Sequence, residues 1–207
     1  TKKISKLSIM KLSLLIPTIT KRKLLLQDLL FVFDNQINQN FTSNNETEID
    51  IITYNDIEIL FFMNDSLQIG TKRNRLLEVS KGEYVCFFDD DDLPSKDYIS
   101  TLLEAIETNP DCVSLRGIMT TNGSNPEIFE HSLMYKAWKT TKNKIKYERY
   151  PNHLNCIRAD IAKQFKFPEV NHGEDYNWSK QLHESGLLKN EYYTEKVLYY
   201  YKFVTNK

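Results

Sequence analysis

Four consecutive aspartates at positions 89–92 are the residues best suited to chemistry, and they directly follow the apolar run Tyr84-Val85-Cys86-Phe87-Phe88. We call them the acidic tetrad. Two like charges about 4 Å apart repel by roughly 4 kcal/mol at an effective dielectric of about 20, so a partly buried cluster requires a cation or hydrogen-bond donors. Carboxylates suit Mg²⁺ or Mn²⁺, whose shells substrate phosphates and water complete. The tetrad indicates a divalent metal site; a solvated acidic turn, with Asp92 supporting a helix opened by Pro94, is the alternative.

A second pair of acids, Glu174 and Asp175, comes directly after Gly173 and opens a predicted helix. Acids in the first turn of a helix are stabilised by the positive end of its macrodipole. Taken alone, the pair therefore needs no explanation beyond helix stability.

Composition limits the class of protein. With 207 residues, 41% of them hydrophobic, the chain can bury one substantial core. Lys and Arg number 27 against 28 Asp and Glu, which gives no electrostatic case for a nucleic-acid or membrane partner. The three cysteines are far apart in sequence, odd in number and outside any zinc-like spacing, which indicates reduced thiols in an intracellular protein. No run approaches the roughly 20 apolar residues that span a bilayer.

The elements that must position these acids alternate along the first part of the chain. Apolar runs predict strands at 12–16, 49–54, 57–63, 84–88 and 112–119, and helical spacing predicts helices at 26–37, 76–79 and 99–106. This order favours an α/β fold with a mostly parallel, Rossmann-like sheet flanked by helices, in which ligands bind beyond the carboxyl ends of strands. Thr18, Asp56 and the acidic tetrad are predicted to lie at such ends.

The second part of the chain is less regular. Its patterns predict strands at 128–135, 153–158 and 192–203, and helices at 159–165 and 174–185. Between them lies a basic segment at 136–150, which either folds over a phosphate or is simply solvated. We expect a smaller, irregular portion here.

Several motifs together resemble the family 2 glycosyltransferases of the GT-A fold, in the family's order and over nearly the whole chain. The acidic tetrad resembles that family's DxD-type motif, and Glu174-Asp175 resembles its ED motif. The resemblance implies one GT-A domain over 1–207, with a nucleotide-sugar-binding half at 10–119 and an acceptor-side and catalytic-base half at 120–207. The motifs are Leu14-Leu15-Ile16-Pro17-Thr18, Gly70 with Arg73-Asn74, Gly82-Glu83-Tyr84 leading into the tetrad, and Gly173-Glu174-Asp175.

The resemblance also implies roles for individual residues. One departure is visible, because Asn55-Asp56 runs directly into Ile57, where the family shows an Asp-Asp-Gly-Ser type turn after its second strand. The implied catalytic residues are Asp175, as the base, and Glu174. The implied nucleotide-binding residues are Thr18 and Asp56 near the nucleotide base, Arg73 supporting the nucleotide pocket, and Asp89 or Asp90 at the ribose. Asp91 is implied to hold the metal.

The acceptor side is less defined. His153, Asn155, Trp138 and Trp178 are candidates, because aromatic faces and amides suit sugar hydroxyls. Trp178 fits a core position equally well, since Leu182 lies four residues along the same helix.

The implied function is an inverting glycosyltransferase, dependent on Mn²⁺ or Mg²⁺, that moves a sugar from a nucleotide-sugar donor, expected to be a UDP-sugar, to a hydroxyl acceptor. Two alternatives stay open. A nucleotidyltransferase also binds nucleotides and metal through acids, although it has no evident use for a base at Asp175. The other alternative is a catalytically inert module of the same fold that binds a sugar or a cation.

Overall fold

A computed structural model describes residues 9–44 and 48–205 of the chain. Its helices are α1 (Lys23–Ile37), α2 (Ile69–Val79), α3 (Tyr98–Ile106), α4 (Ala159–Ala162) and α5 (Glu174–Ser185). Its strands are β1 (Leu12–Thr18), β2 (Thr42–Asn44), β3 (Asp50–Thr53), β4 (Ile57–Met63), β5 (Tyr84–Phe87), β6 (Leu93–Pro94), β7 (Cys112–Val113), β8 (Leu115–Thr121), β9 (Ser124–His131), β10 (Lys139–Thr140), β11 (Ile145–Arg149), β12 (Ile157–Arg158), β13 (Glu191–Tyr192) and β14 (Val197–Phe203).

Eight strands form the first sheet, in the order β13-β7-β12-β5-β1-β4-β3-β2. At its centre β1 pairs in parallel with β4 and β5, so that Leu12 lies beside Ile57 and Tyr84. Next to this parallel core, β3 and β12 run antiparallel. The predicted α/β fold is confirmed, but the sheet is mixed rather than mostly parallel. The connection from β3 to β4 is too short for the crossover that a parallel pair requires.

Six strands form the second sheet, in the order β10-β11-β9-β8-β14-β6. Its β8–β9 hairpin turns at Asn122-Gly123, where both residues have positive φ, 51° and 75°. Such a turn matches the twist of the strands it joins, and Asn-Gly is its preferred sequence. Each sheet takes strands from both the 10–119 and the 120–207 part of the chain.

The apolar spacing predicted for α1 is confirmed. Leu26, Leu29, Phe33 and Ile37 form its buried face against the first sheet. The Phe33 ring meets the Phe88 ring edge-on at 5.2 Å, so the helix packs against the residue that immediately precedes the acidic tetrad. Burial of a side chain of this size contributes about 1.5–3 kcal/mol.

Other local predictions have mixed outcomes. Cys86, Cys112 and Cys156 are buried free thiols. Pro94 was predicted to open a helix, which is wrong: it lies in β6, paired with β14, and α3 begins only at Tyr98. In the described part of the chain, no helix has the length and apolar character needed to cross a bilayer.

Replacing Phe33 with alanine should lower the free energy of unfolding by about 3–5 kcal/mol, because the fully buried ring leaves a cavity beneath the tetrad. Phe31→Ala is the matched control, since that ring lies on the same helix and is 69% exposed. The control should change stability by less than about 0.5 kcal/mol. Urea denaturation measures both, and equal losses would contradict this packing of α1.

Candidate active site

The acidic tetrad lies beyond the carboxyl end of β5, beside the end of the parallel strand β1. Thr18, the last residue of β1, donates its hydroxyl to Asp90. Arg22 follows in a 3-10 turn, with its Nη1 2.8 Å from Asp90 Oδ1 and its Nη2 3.2 Å from Asp91 Oδ2. The structure therefore brings Thr18, Asp90 and Asp91 together, and it adds an arginine that sequence reasoning missed.

Arg73, on α2, joins the tetrad to the second acidic pair. Its Nη2 lies 3.0 Å from Asp89 Oδ1 and its Nε lies 3.4 Å from Glu174 Oε1. The guanidinium is buried and stacks over Phe87 at 5.3 Å. Burial is the largest influence on the pKa of Asp89 and would raise it, but Arg73 and the neighbouring His153 together outweigh burial and hold that pKa well below its usual value.

Asp92, the fourth acid of the tetrad, makes structural contacts with β14. It accepts hydrogen bonds at 2.8 Å from the Tyr199 hydroxyl and at 2.8 Å from the Lys202 backbone N–H, both in β14. Burial, with a further contribution from the nearby charge of Asp89, raises the pKa of Asp92 to about 7. This carboxyl therefore anchors the second sheet to the tetrad.

A cavity of about 400 Å³ opens between the tetrad and α5. Asp89 and Asp175 both line it, although they are distant in sequence, whereas Asp91 is not part of the lining. Much of the remaining wall is aromatic. It includes Phe129, Trp138, Tyr147, Tyr201 and Phe203.

The two acids of the second pair have different surroundings. Gly173 precedes α5 with φ at 77°, a left-handed conformation that favours glycine, and α5 begins at Glu174. Glu174 is buried, pairs with Arg73 and does not line the cavity, so the predicted catalytic role of Glu174 is corrected to a positioning role. Asp175 is half-buried and lines the cavity, and one of its oxygens accepts the Tyr176 backbone N–H at 2.7 Å.

Asp56 does not lie at this site, so its predicted position near the nucleotide base is wrong. It precedes β4, and its carbonyl accepts the Leu12 N–H at the start of β1. Because β3 runs antiparallel to β4, the end of β3 lies at the amino ends of the parallel strands. Thr18 is at the other end of β1, about 20 Å away.

The turn that does lie beside Thr18 is Asn64-Asp65-Ser66, directly after β4. Asp65 Oδ1 accepts the Thr20 N–H at 2.8 Å, and Asn64 Oδ1 accepts the Ser66 N–H at 2.9 Å. β4 and not β3 is the second strand of the parallel core, so this turn, and not Asn55-Asp56, follows the strand after which the resemblance expects an Asp-Asp-Gly-Ser type turn. The polar run after the apolar strand was the signal in the sequence.

A buried lysine also fixes this edge of the sheet. Lys72 Nζ donates to the Thr18 carbonyl at 2.8 Å and to the Asn64 carbonyl at 3.1 Å. Burial lowers the pKa of the ammonium group. The contact holds the ends of β1 and β4 at a fixed separation.

Two of the predicted acceptor residues belong to the core. Trp178 stacks on Phe167 with ring centroids 4.8 Å apart and is 1% exposed. Asn155 is also 1% exposed and donates its amide to the Val113 carbonyl at 2.9 Å. Their predicted acceptor role is corrected to a structural one, because neither side chain reaches the cavity. His153 does line it.

The basic segment at 136–150 contributes to the cavity through Trp138, Tyr147 and Arg149. The Arg149 guanidinium lies 5.2 Å from the Trp138 ring centroid and 5.4 Å from that of Tyr147. Lys146 instead pairs with Glu127 at 2.7 Å, outside the cavity. Among the described basic residues of this segment, Arg149 alone faces the cavity, so the segment as a whole does not enclose it.

Solved structures of S. aureus TarS resemble this fold. TarS 1-349 shares 19% sequence identity at a TM-score of 0.62, covering 93% of this chain and 60% of that one. Its complex with UDP gives 18% identity and a TM-score of 0.62, with the same coverage. Its complex with UDP-GlcNAc gives 18% identity and a TM-score of 0.64, covering 96% of this chain and 60% of that one. The chain thus spans about 60% of the length of these TarS structures.

Sequence comparison identifies the family directly. No curated protein sequence matches the chain significantly. A family model, glycosyl transferase family 2, matches residues 27–167, a span that includes Arg73, the acidic tetrad and His153. This span covers well over half of the 207 residues, and the likeness to TarS confirms the GT-A fold. The chain therefore belongs to glycosyl transferase family 2.

Proposed function

We propose that the chain transfers a sugar from a nucleotide-sugar donor to a hydroxyl acceptor. One observation carries the proposal: an acid of the tetrad, Asp89, and an acid of α5, Asp175, line the same cavity of about 400 Å³. Its size lies within the range of small-molecule sites. Membership of glycosyl transferase family 2 supports the same activity.

Asp175 is the catalytic base in this proposal. Its carboxylate lines the cavity, and neither Arg73 nor Arg22 forms an ion pair with it, in contrast to Asp89 and Asp90. A carboxylate within hydrogen-bond reach takes the proton of the acceptor hydroxyl as that oxygen attacks the anomeric carbon. Attack from the face opposite the leaving group is a single displacement, so the anomeric centre is inverted.

The nucleotide would bind at the carboxyl edge of β1 and β4, where Thr18, Arg22 and Asp90 converge. Arg22 and Arg73 place two cations on the tetrad side, where a diphosphate requires positive charge. The TarS structures with UDP and UDP-GlcNAc support a UDP-sugar as the donor. Asp89, which faces the cavity, is placed to meet the sugar end of such a donor.

The tetrad fits a divalent cation of the Mg²⁺ or Mn²⁺ type, because the side-chain atoms that it offers are carboxylate oxygens. Asp91, with 15% of its side chain exposed, is the member placed to hold it. Among the described residues, no three His, Cys, Asp or Glu side chains converge to form a complete ion site. The protein would thus supply one carboxylate ligand, and the diphosphate of the nucleotide would supply further ligands. When bound, the cation neutralises charge on the leaving nucleoside diphosphate.

The placement of Asp175 also favours this activity over nucleotidyl transfer. A nucleotidyltransferase joins a phosphate nucleophile to a nucleotide and does not need a base that faces the tetrad across a cavity. A panel of UDP-GlcNAc, UDP-glucose and UDP-galactose, scored for UDP release with Mn²⁺, tests the proposal. Release of free UDP from one sugar nucleotide supports glycosyl transfer. Absence of both binding and release across the panel indicates an inert module or a different donor class.

Asp175→Asn should reduce sugar transfer or donor hydrolysis by about 10²–10⁴-fold, since the amide cannot accept the acceptor's proton. Its affinity for UDP should stay within about twofold of the wild type, because Asp175 lies away from the nucleotide side. Calorimetry and UDP release measure the two quantities. Glu184→Gln, an exposed acid on the same helix, is the control and should change neither. Loss of UDP binding together with activity would contradict the base role.

Asp91→Ala should remove the part of UDP affinity that depends on Mn²⁺, an effect of about tenfold or more. UDP affinity measured in EDTA should fall little by comparison. Titrations of UDP with and without Mn²⁺ give both values. Asp28→Ala, an exposed acid on α1, is the control and should preserve the Mn²⁺ effect. An intact Mn²⁺ effect in Asp91→Ala would place the cation elsewhere.

A further inference from the structure

His153 is a buried cavity residue that the chemistry above does not use. It is 5% exposed, and among the described residues neither ring nitrogen has a hydrogen-bond partner. Its Nε2 lies 3.9 Å from Asp89 Oδ2, which is too long for a hydrogen bond. A buried polar group without a partner costs folding free energy, and such groups in native structures call for a specific explanation.

The position of this ring is fixed by the strand that delivers the tetrad. The His153 carbonyl accepts the Phe87 backbone N–H at 3.1 Å, and the two rings meet edge-on at 6.2 Å. The hydrogen bond fixes the backbone of His153, and a rotation of the imidazole away from the cavity would break its ring contact with Phe87. Its Nε2 faces Asp89, and both residues line the cavity.

His131, in β9, is a second buried histidine in this cavity wall. It is 5% exposed, and its Nδ1 also has no hydrogen-bond partner among the described residues. Burial, with the neighbouring His153 as a smaller cause, lowers the pKa of His131 to about 3. His131 is therefore neutral at pH 7, and its imidazole lies in the same wall as His153 and the carboxylate of Asp89.

We propose that His153 and Asp89 together bind one hydroxyl group of the transferred sugar, an inference that rests on the proposed glycosyl transfer. A hydroxyl donates one hydrogen bond and accepts others. It would donate to Asp89 Oδ2 and accept from the His153 Nε2–H. One oxygen can lie within hydrogen-bond distance of both atoms, because they are only 3.9 Å apart. His153 is thus a residue that binds the donor sugar.

The order of groups in a displacement reaction assigns this hydroxyl to the donor. The leaving diphosphate lies on the tetrad side, the acceptor hydroxyl lies beside the base Asp175, and the transferred sugar lies between them. His153 packs against β5 and faces Asp89, on the tetrad side of the cavity. A sugar in reach of both is therefore the transferred one. An acceptor hydroxyl is the other possible source, and binding measured without acceptor distinguishes the two.

The test compares the affinities for UDP and UDP-GlcNAc, with UDP-glucose and UDP-galactose as further probes, in the absence of acceptor. His153→Phe keeps the ring and removes both nitrogens. It should weaken the best-bound UDP-sugar about tenfold, the loss of one buried hydrogen bond, and leave UDP within about twofold. His153→Gln retains a donor and should lose less than about threefold. His172→Ala, an exposed histidine, is the matched control and should change neither affinity.

Measurements of thermal stability and NMR spectra distinguish sugar binding by His153 from an effect on folding. Because no hydrogen bond of His153 is lost in the free protein, His153→Phe should not lower the Tm without ligand. If that variant fails to fold, the imidazole NMR signals of the wild type replace it, identified by their absence in His153→Gln. These signals should shift further with the UDP-sugar than with UDP.

The outcomes separate this inference from the proposed function. Equal losses of UDP and UDP-sugar affinity indicate a structural role and overturn it. Unchanged affinities in His153→Phe, or equal NMR shifts with both ligands, also overturn it, whereas the wild type's own donor binding continues to support the proposed function. If the wild type binds none of the sugar nucleotides, the UDP-sugar function itself fails, and the His153 assignment fails with it.

Discussion

The ion pairs that Arg73 makes with Asp89 and Glu174 are the constraint on which the site depends. The three residues come from α2, from the end of β5 and from the first turn of α5, and the arginine is almost completely buried. Removing one partner of a buried pair leaves an unpaired charge and costs about 3–5 kcal/mol. The same arginine therefore sets the separation between Asp89 and Asp175, because Asp175 adjoins Glu174 in the chain.

The repulsion expected within the acidic tetrad is relieved largely by the protein itself. Arg73 balances Asp89, Arg22 and Thr18 hold Asp90, and β14 supplies donors to Asp92. The four adjacent carboxylates thus all have partners within the protein, and Asp90 and Asp91 share Arg22. A cation is not required to hold the tetrad together, which agrees with a proposed metal that reaches Asp91 in company with the nucleotide.

The sequence predicted what local patterns determine. Apolar spacing located α1 and α5, and an unbroken apolar run located β5 ahead of the tetrad. It could not give strand direction, which depends on pairing partners, and Asp56 was consequently placed at the wrong edge. Nor could it reveal Arg22 and Lys72, because a contact between a cation and an acid or carbonyl elsewhere in the chain leaves no pattern in the sequence. The sequence also could not place Trp178, since an aromatic residue suits a hydrophobic core and a sugar-binding site equally well.

The anchoring of Asp92 by β14 has a consequence for biosynthesis. Tyr199 follows Asp92 by 107 residues, so the tetrad leaves the ribosome long before its hydroxyl partner has been translated. The parallel core of β1, β4 and β5 involves only earlier segments and can form first. Until β14 docks, the charges of the acidic tetrad are incompletely neutralised. We therefore expect the cavity to be completed late in folding, because a nascent chain stalled before β14 lacks Tyr201 and Phe203 of the cavity wall.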